Sequence, residues 1–134
     1  MANVHGKGTF VSLAGATLSQ YSNNVEYERA SDKHDSTTFG NNSHVYDGGL
    51  LDGTATVTGI YDNTALTGPR AVIEPLIGTK VPFVYRPEGT GSGKPQRTVS
   101  ALVETYTETA PVADQVKWAI ELQFSGDVAT VTQA

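Results

Sequence analysis

The sequence predicts a mainly β protein, a β-sandwich with one flanking α-helix. Three observations carry that reading. Residues 116–125 alternate strictly, with Trp118, Ile120, Leu122 and Phe124 on one side and Lys117, Ala119, Glu121 and Gln123 on the other. Successive strand residues face opposite sides of a sheet, so this is the pattern of a half-buried strand. Thr, Val, Tyr and Gly are frequent while Ala/Leu helical runs are scarce, which is β composition. Several further short segments end in turn residues, and one stretch fits a helix, as expected of a sandwich with a helix on its side.

In chain order, residues 7–13 read as a first strand. Residues 17–30 hold two short candidates around Ser22-Asn23-Asn24, and in the second Val25, Tyr27 and Arg29 alternate with Glu26 and Glu28. Residues 31–51 are polar and rich in Gly and Asn, and fit either an open loop or an extended hairpin. A connection this long inside one domain is uncommon unless it has a task. Residues 54–61 alternate again, Ala55, Val57 and Tyr61 against Thr54, Thr56 and Thr58, and Asp62-Asn63 stops the strand. Residues 67–77 are the one helix candidate. Thr67 suits its cap, Pro69 its first turn and Gly78 its left-handed stop, and Val72, Ile73, Leu76 and Ile77 form an apolar stripe. Pro75 removes a backbone donor and should kink or shorten it. Residues 81–85 read as a strand and residues 87–95 as a flexible, exposed hairpin tip. Residues 98–107 and 116–125 read as paired strands about a turn at Ala110-Pro111, and residues 128–132 as a last short strand. The expected core comprises Trp118, Ile120, Leu122, Phe124, Val57, Val72 and Leu76.

A chain of 134 residues without repeat or linker fits one domain, residues 1–134, able to bury a core without staples. Cysteine is absent, which removes disulfides, thiolate metal sites and a cysteine nucleophile. The first residues have no apolar h-region, so no signal peptide is expected, and no apolar run is long enough to span a bilayer, so no membrane partner is expected. The net charge of −5 argues against a sequence-reading nucleic-acid binder, which carries a basic footprint. The charge is uneven: residues 98–134 hold five acids (Glu104, Glu108, Asp114, Glu121, Asp127) and one base, Lys117. Such an excess reads either as a solubilising surface or as one that keeps a polyanion from adhering.

The candidate catalytic and ligand motifs are each incomplete. Residues 89–94, GTGSGK, are one residue short of a phosphate-binding loop, and Pro95 stands where Ser or Thr should hold magnesium. His5, His34 and His44 form no metal-binding spacing. His34-Asp35-Ser36 lacks the nucleophile elbow a triad needs. Glu26 and Glu28 share a strand face, but acid–base chemistry needs a pocket and a perturbed pKa, so a solvated face is the simpler reading. Asn41-Asn42-Ser43 matches a glycosylation sequon in a chain without a secretion signal. The six tyrosines are dispersed, which suits core edges rather than a base-stacking platform. No catalytic residue, cofactor site or metal site is expected, and the chain is not expected to be an enzyme.

Asp35-Ser36-Thr37-Thr38-Phe39-Gly40, then Leu50-Leu51-Asp52-Gly53, then Thr58-Gly59-Ile60-Tyr61-Asp62, resemble the major tail tube proteins of long-tailed, siphovirus-type bacteriophages. Leu76-Ile77-Gly78 resembles the end of that family's single helix, and residues 118–126 its closing strand. The order and spacing of these motifs, from about residue 35 to 128, are more specific than any one of them. The resemblance implies a tail-tube-type sandwich whose inner sheet contributes to a multi-subunit β-barrel. It implies a homo-oligomer of six-membered rings that stack into a tube in the virion tail, assembled in the host cytoplasm. Implied partners are a tape measure protein, tail terminator and baseplate or distal tail proteins, and double-stranded DNA in non-specific transit. Residues 31–51 would reach the next ring, with Asp35, Thr37, Thr38, Phe39, Asn41, His44 and Tyr46 in contact. Glu104, Glu121 and Gln123 would be candidates to face the lumen. Two alternatives remain: an immunoglobulin-like or carbohydrate-binding surface module, and a ring-forming tail terminator.

Overall fold

Alternating segments pair into one continuous antiparallel sheet that folds over on itself. The computed structural model describes residues 6–62 and 68–134. The strands are β1 Phe10–Leu13, β2 Ala16–Thr17, β3 Ser22–Asp35, β4 Tyr46–Ile60, β5 Lys80–Arg86, β6 Pro95–Thr109, β7 Lys117–Phe124 and β8 Ala129–Thr132. Their order is β2-β1-β5-β6-β7-β4-β3, with β8 added to the start of β6.

β6 belongs to both layers. Its first residues lie between β5 and β8, and from Ala101 onward it pairs with β7, across a register shift between Val103 and Thr105. A bulge of this kind bends a strand and sharpens its twist. One layer is therefore β2-β1-β5 with β8, and the other is β6-β7-β4-β3. Tyr27 of β3 stacks on Tyr85 of β5, ring centroids 5.6 Å apart, and packs on Phe124 of β7 at the same distance. The Arg97 guanidinium lies 4.8 Å over the Tyr27 ring.

The alternation dictates the core. Trp118, Ile120, Leu122 and Phe124 are buried together with Val57, Ala55, Val103 and Phe83. Burying such side chains contributes about 1.5–3 kcal/mol each. The Trp118 indole N–H donates to the Ile60 carbonyl at 3.1 Å, so its polar end is satisfied inside the core.

The helix is shorter than its sequence pattern. α1 spans Pro69–Ile73, and Glu74–Leu76 tighten into a 3-10 turn where Pro75 supplies no N–H. Gly78 takes the left-handed conformation, φ 84°. Ile73 is buried, Val72 and Leu76 are half-buried against the core, and Ile77 is exposed because the helical period ends before it. Thr67 and Asn63 lie outside the described residues, as does His5.

Other boundaries are set by pairing. Gly6–Gly8 form a 3-10 turn, so the first strand starts at Phe10. Of the two candidates in residues 17–30, the first gives way to a 3-10 turn at Ser19–Tyr21, and the second is the start of a 14-residue strand, Ser22–Asp35, that absorbs Asn23 as a bulge. Residues 31–51 form an extended hairpin: Ser31 pairs with Leu51 and Asp35 with Tyr46. The turn at 87–94 is tied down rather than loose. Gln133 donates to the Gly89 carbonyl at 2.9 Å and accepts from the Gly91 and Gly93 amides at 3.2 and 2.9 Å.

Candidate assembly surfaces

The outward face of the β6-β7-β4-β3 layer is polar in continuous rows. Glu28, Thr54 and Gln123 occupy one row of register partners; Glu26, Thr56, Glu121 and Thr105 the next; Asn24, Thr58, Ala119 and Thr107 a third. Directly opposed residues of an antiparallel pair share a face. Asp52 extends the face beyond the first row, and the Gln123 amide donates to it at 2.6 Å. Lys117 marks the other end and pairs with Asp114 at 3.1 Å. The face thus carries Glu26, Glu28, Asp52 and Glu121 against the base Lys117. Two sequence candidates, Glu121 and Gln123, sit within these rows. Glu104 is the extra residue of the β6 bulge, so Thr105 takes the place beside Glu121. Glu26 and Glu28 join them because β3 lies two strands from β7, a neighbourhood no local pattern contains.

Two edges of this layer are open. β3 ends the sheet, and among the described residues β6 beyond Val103 pairs only with β7. At Val103 itself the backbone is satisfied by Thr79 and Gly78, at 3.0 and 2.8 Å, which marks where the outer layer stops covering β6. On the inward side of this edge Tyr106 donates to Glu108 at 2.7 Å, and burial, then that hydrogen bond, push its phenol up.

The β3–β4 hairpin projects as an arm. Its tip is organised by its own side chains: the Thr37 amide donates to Asp35 at 2.9 Å, the Val45 amide to the Thr37 hydroxyl at 2.8 Å, and Ser36 N–H to the Val45 carbonyl at 2.8 Å. Hydrogen bonds from the Thr37 side chain and backbone hold the Asp35 carboxyl below the usual range. His44 lies 3.6 Å from Asp35 and stacks on Tyr46. Asn41 N–H donates to the Thr38 carbonyl at 3.3 Å. The hairpin thus gathers all seven residues of the predicted contact loop. Phe39 among them is fully exposed, and the hairpin carries further exposed apolar groups outside that set: Leu50 at 81% and Leu51 at 62%, with Val45. Two adjacent leucines after Gly48-Gly49, off the alternating pattern, were the available signal.

The Gly89, Gly91, Gly93 and Lys94 amides are already bonded within the protein, so the loop presents no cradle for phosphate. No group of three His, Asp or Glu side chains among the described residues could hold a metal. No helix of the described residues is long and apolar enough to cross a membrane.

No family model matches the sequence, and no curated protein matches it. Solved structures do. The chain superposes on the SPP1 tail tube protein with a TM-score of 0.78 at 13% identity, over 98% of this chain and 80% of that one. It superposes on a chain from the tail of the empty gene transfer agent particle with a TM-score of 0.77 at 12% identity, over 97% and 100%. The fold is that of a tail tube protein. A chain of the sheath–tube complex of an extracellular contractile injection system, PVC, shares the tail tube fold with a TM-score of 0.66 at 14% identity, over 97% and 92%.

Proposed function

We propose that this chain is the structural, non-catalytic subunit of a bacteriophage tail tube, in which six copies close into a ring, rings stack, and double-stranded DNA passes through the bore. One observation carries the reading: a four-stranded layer with a wet, acidic face and an open edge on each side. Open edges are a hazard in a monomer. Joining the β6 edge of one copy to the β3 edge of the next removes both through one repeated head-to-tail contact. Strand direction permits it. With four antiparallel strands, β3 and β6 run oppositely, so the junction is antiparallel and alternation continues around the ring. The gene transfer agent tail, which shares the fold, was refined with C6 symmetry. Six such layers make a barrel of about 24 strands, far beyond the roughly 8 whose interior fills with side chains. Glu26, Glu28, Asp52 and Glu121 would line the bore, where negative charge repels phosphate and a basic wall would bind it and stall transit.

Stacking is the task of the arm, whose exposed Phe39, Leu50 and Leu51 would be covered by the next ring. The tube would sit in the virion tail, with a tape measure protein filling it before ejection and terminator and baseplate proteins at its ends. Electron microscopy of the purified protein tests the reading. Rings or tubes with a central hole are expected, and a monomer that persists at high concentration by light scattering would overturn it.

A further inference from the structure

The open β3 edge does not end in bare solvent. Beside its first residues runs a groove of about 670 Å³, walled by Ser22 to Val25 on one side and by Lys7, Tyr85 and Arg97 on the other. At the opposite edge of the layer, β6 runs into the turn of residues 110–116, where Val112 is a fully exposed apolar side chain. We propose that this turn seats in the groove of the neighbouring copy, with Val112 as its anchor, and latches each ring outside the barrel. The inference rests on the tube reading above.

Register supplies the first argument. Thr109 pairs with Lys117, Lys117 with Ile60, and Gly59 with Ser22, so the end of β6 and the start of β3 lie at the same end of the layer. When the β6 edge of one copy pairs antiparallel with the β3 edge of the next, Thr109 arrives beside Ser22 to Val25. The chain leaving Thr109 then meets the groove that those residues border.

Charge supplies the second. The groove carries Lys7 and Arg97 against Glu88, and the turn and its flanks carry Glu108 and Asp114 against Lys117. Arg97 is already positioned, 4.8 and 5.8 Å over the Tyr27 and Tyr85 rings. The turn is also pre-formed: Asp114 accepts from the Gln115 amide at 2.8 Å and pairs with Lys117. A segment that is ordered before docking loses less entropy on docking.

The chain has no cysteine, so paired substitutions report contacts without background. Val112→Cys with Glu88→Cys in the groove wall, treated with a short bismaleimide after assembly, should give a ladder of covalent oligomers up to the ring size. Either substitution alone should give none. Phe39→Cys with Glu88→Cys places the arm of the next ring in the same groove, and a ladder from that pair instead would overturn the proposal. Rings or tubes with no ladder from Val112→Cys and Glu88→Cys would overturn the docking while leaving the tube reading in place. Absence of any ring from the unaltered protein would overturn both. As an independent readout, Val112→Asp should raise the concentration needed for ring formation by about tenfold or more, as for other central anchors, with an unchanged melting temperature for the isolated subunit. Unchanged assembly would count against the anchor.

Discussion

A Cβ on Gly59 would run into the Tyr21 carbonyl, where the chain turns into β3. Gly59 is buried in β4 and its φ is ordinary, so the requirement is for space and not for backbone freedom. Backbone cannot yield as a side-chain tip can. Gly59→Ala should therefore destabilise by about 1–3 kcal/mol, read as a melting temperature several degrees lower. A melting temperature equal to the parent's would show that β3 shifts without cost. Asp35 makes a second prediction at this scale. Its carboxyl is held below its ordinary value of 3.8 by hydrogen bonds to the charged form. The turn is then fully supported above that value and loses support as pH falls through the lower, folded pKa. By NMR the Thr37 amide should titrate with a midpoint below 3.8. A midpoint at or above it would mean that the turn is not held by the ionised group. Individual side chains were readable where alternation is strict: Trp118 to Phe124 sit where their parity puts them. Val72 and Leu76 are only half-buried, since a five-residue helix presents little more than one turn to the core.

The arm is the element whose form sequence left undecided. Gly48, Gly49 and the polar run from Ser36 to Ser43 read equally well as loop, because strand pairing at a hairpin end depends on register with the other strand and not on local composition. The ladder from Ser31–Leu51 to Asp35–Tyr46 settles it as hairpin. Its pairing does not depend on the sandwich below, so deleting residues 35–49 should leave a folded, ring-forming protein that no longer stacks. Microscopy checks this directly, and normal tubes from the deleted protein would end the assignment of the arm to stacking. A milder change, Phe39→Asp with Leu50→Asp, should shorten tubes without altering rings. The helix shows the reverse case. Pro69, Pro75 and Gly78 were all legible, and Pro75 shortens the helix as its missing N–H requires.

At the scale of the whole molecule, the polar face is assembled from strands far apart in sequence. Glu26 and Glu121 are separated by most of the chain yet lie in one row across β3, β4 and β7. If that row faces the bore, Glu26→Lys with Glu121→Lys replaces repulsion of phosphate by attraction. Particles built from this variant should eject DNA more slowly, and more so at low salt, because released counterions drive such binding. Ejection kinetics unchanged at every salt concentration would place the row elsewhere. The pair stands on an exposed strand face, so it should leave the melting temperature of the subunit within about 1–2 °C of the parent.

The sequence by itself determined the class of the fold, most strands, the helix and its early stop, and the inward set of β7 and β4. Each depends on local rules: a period of two, capping and turn residues, and the backbone limits of proline. Tertiary structure decided which strands are neighbours, and with that the row of acids, the bend of β6 at its bulge and the two edges left open. Sheet pairing joins residues remote in the chain through backbone groups that every residue carries, so no local pattern encodes the partner.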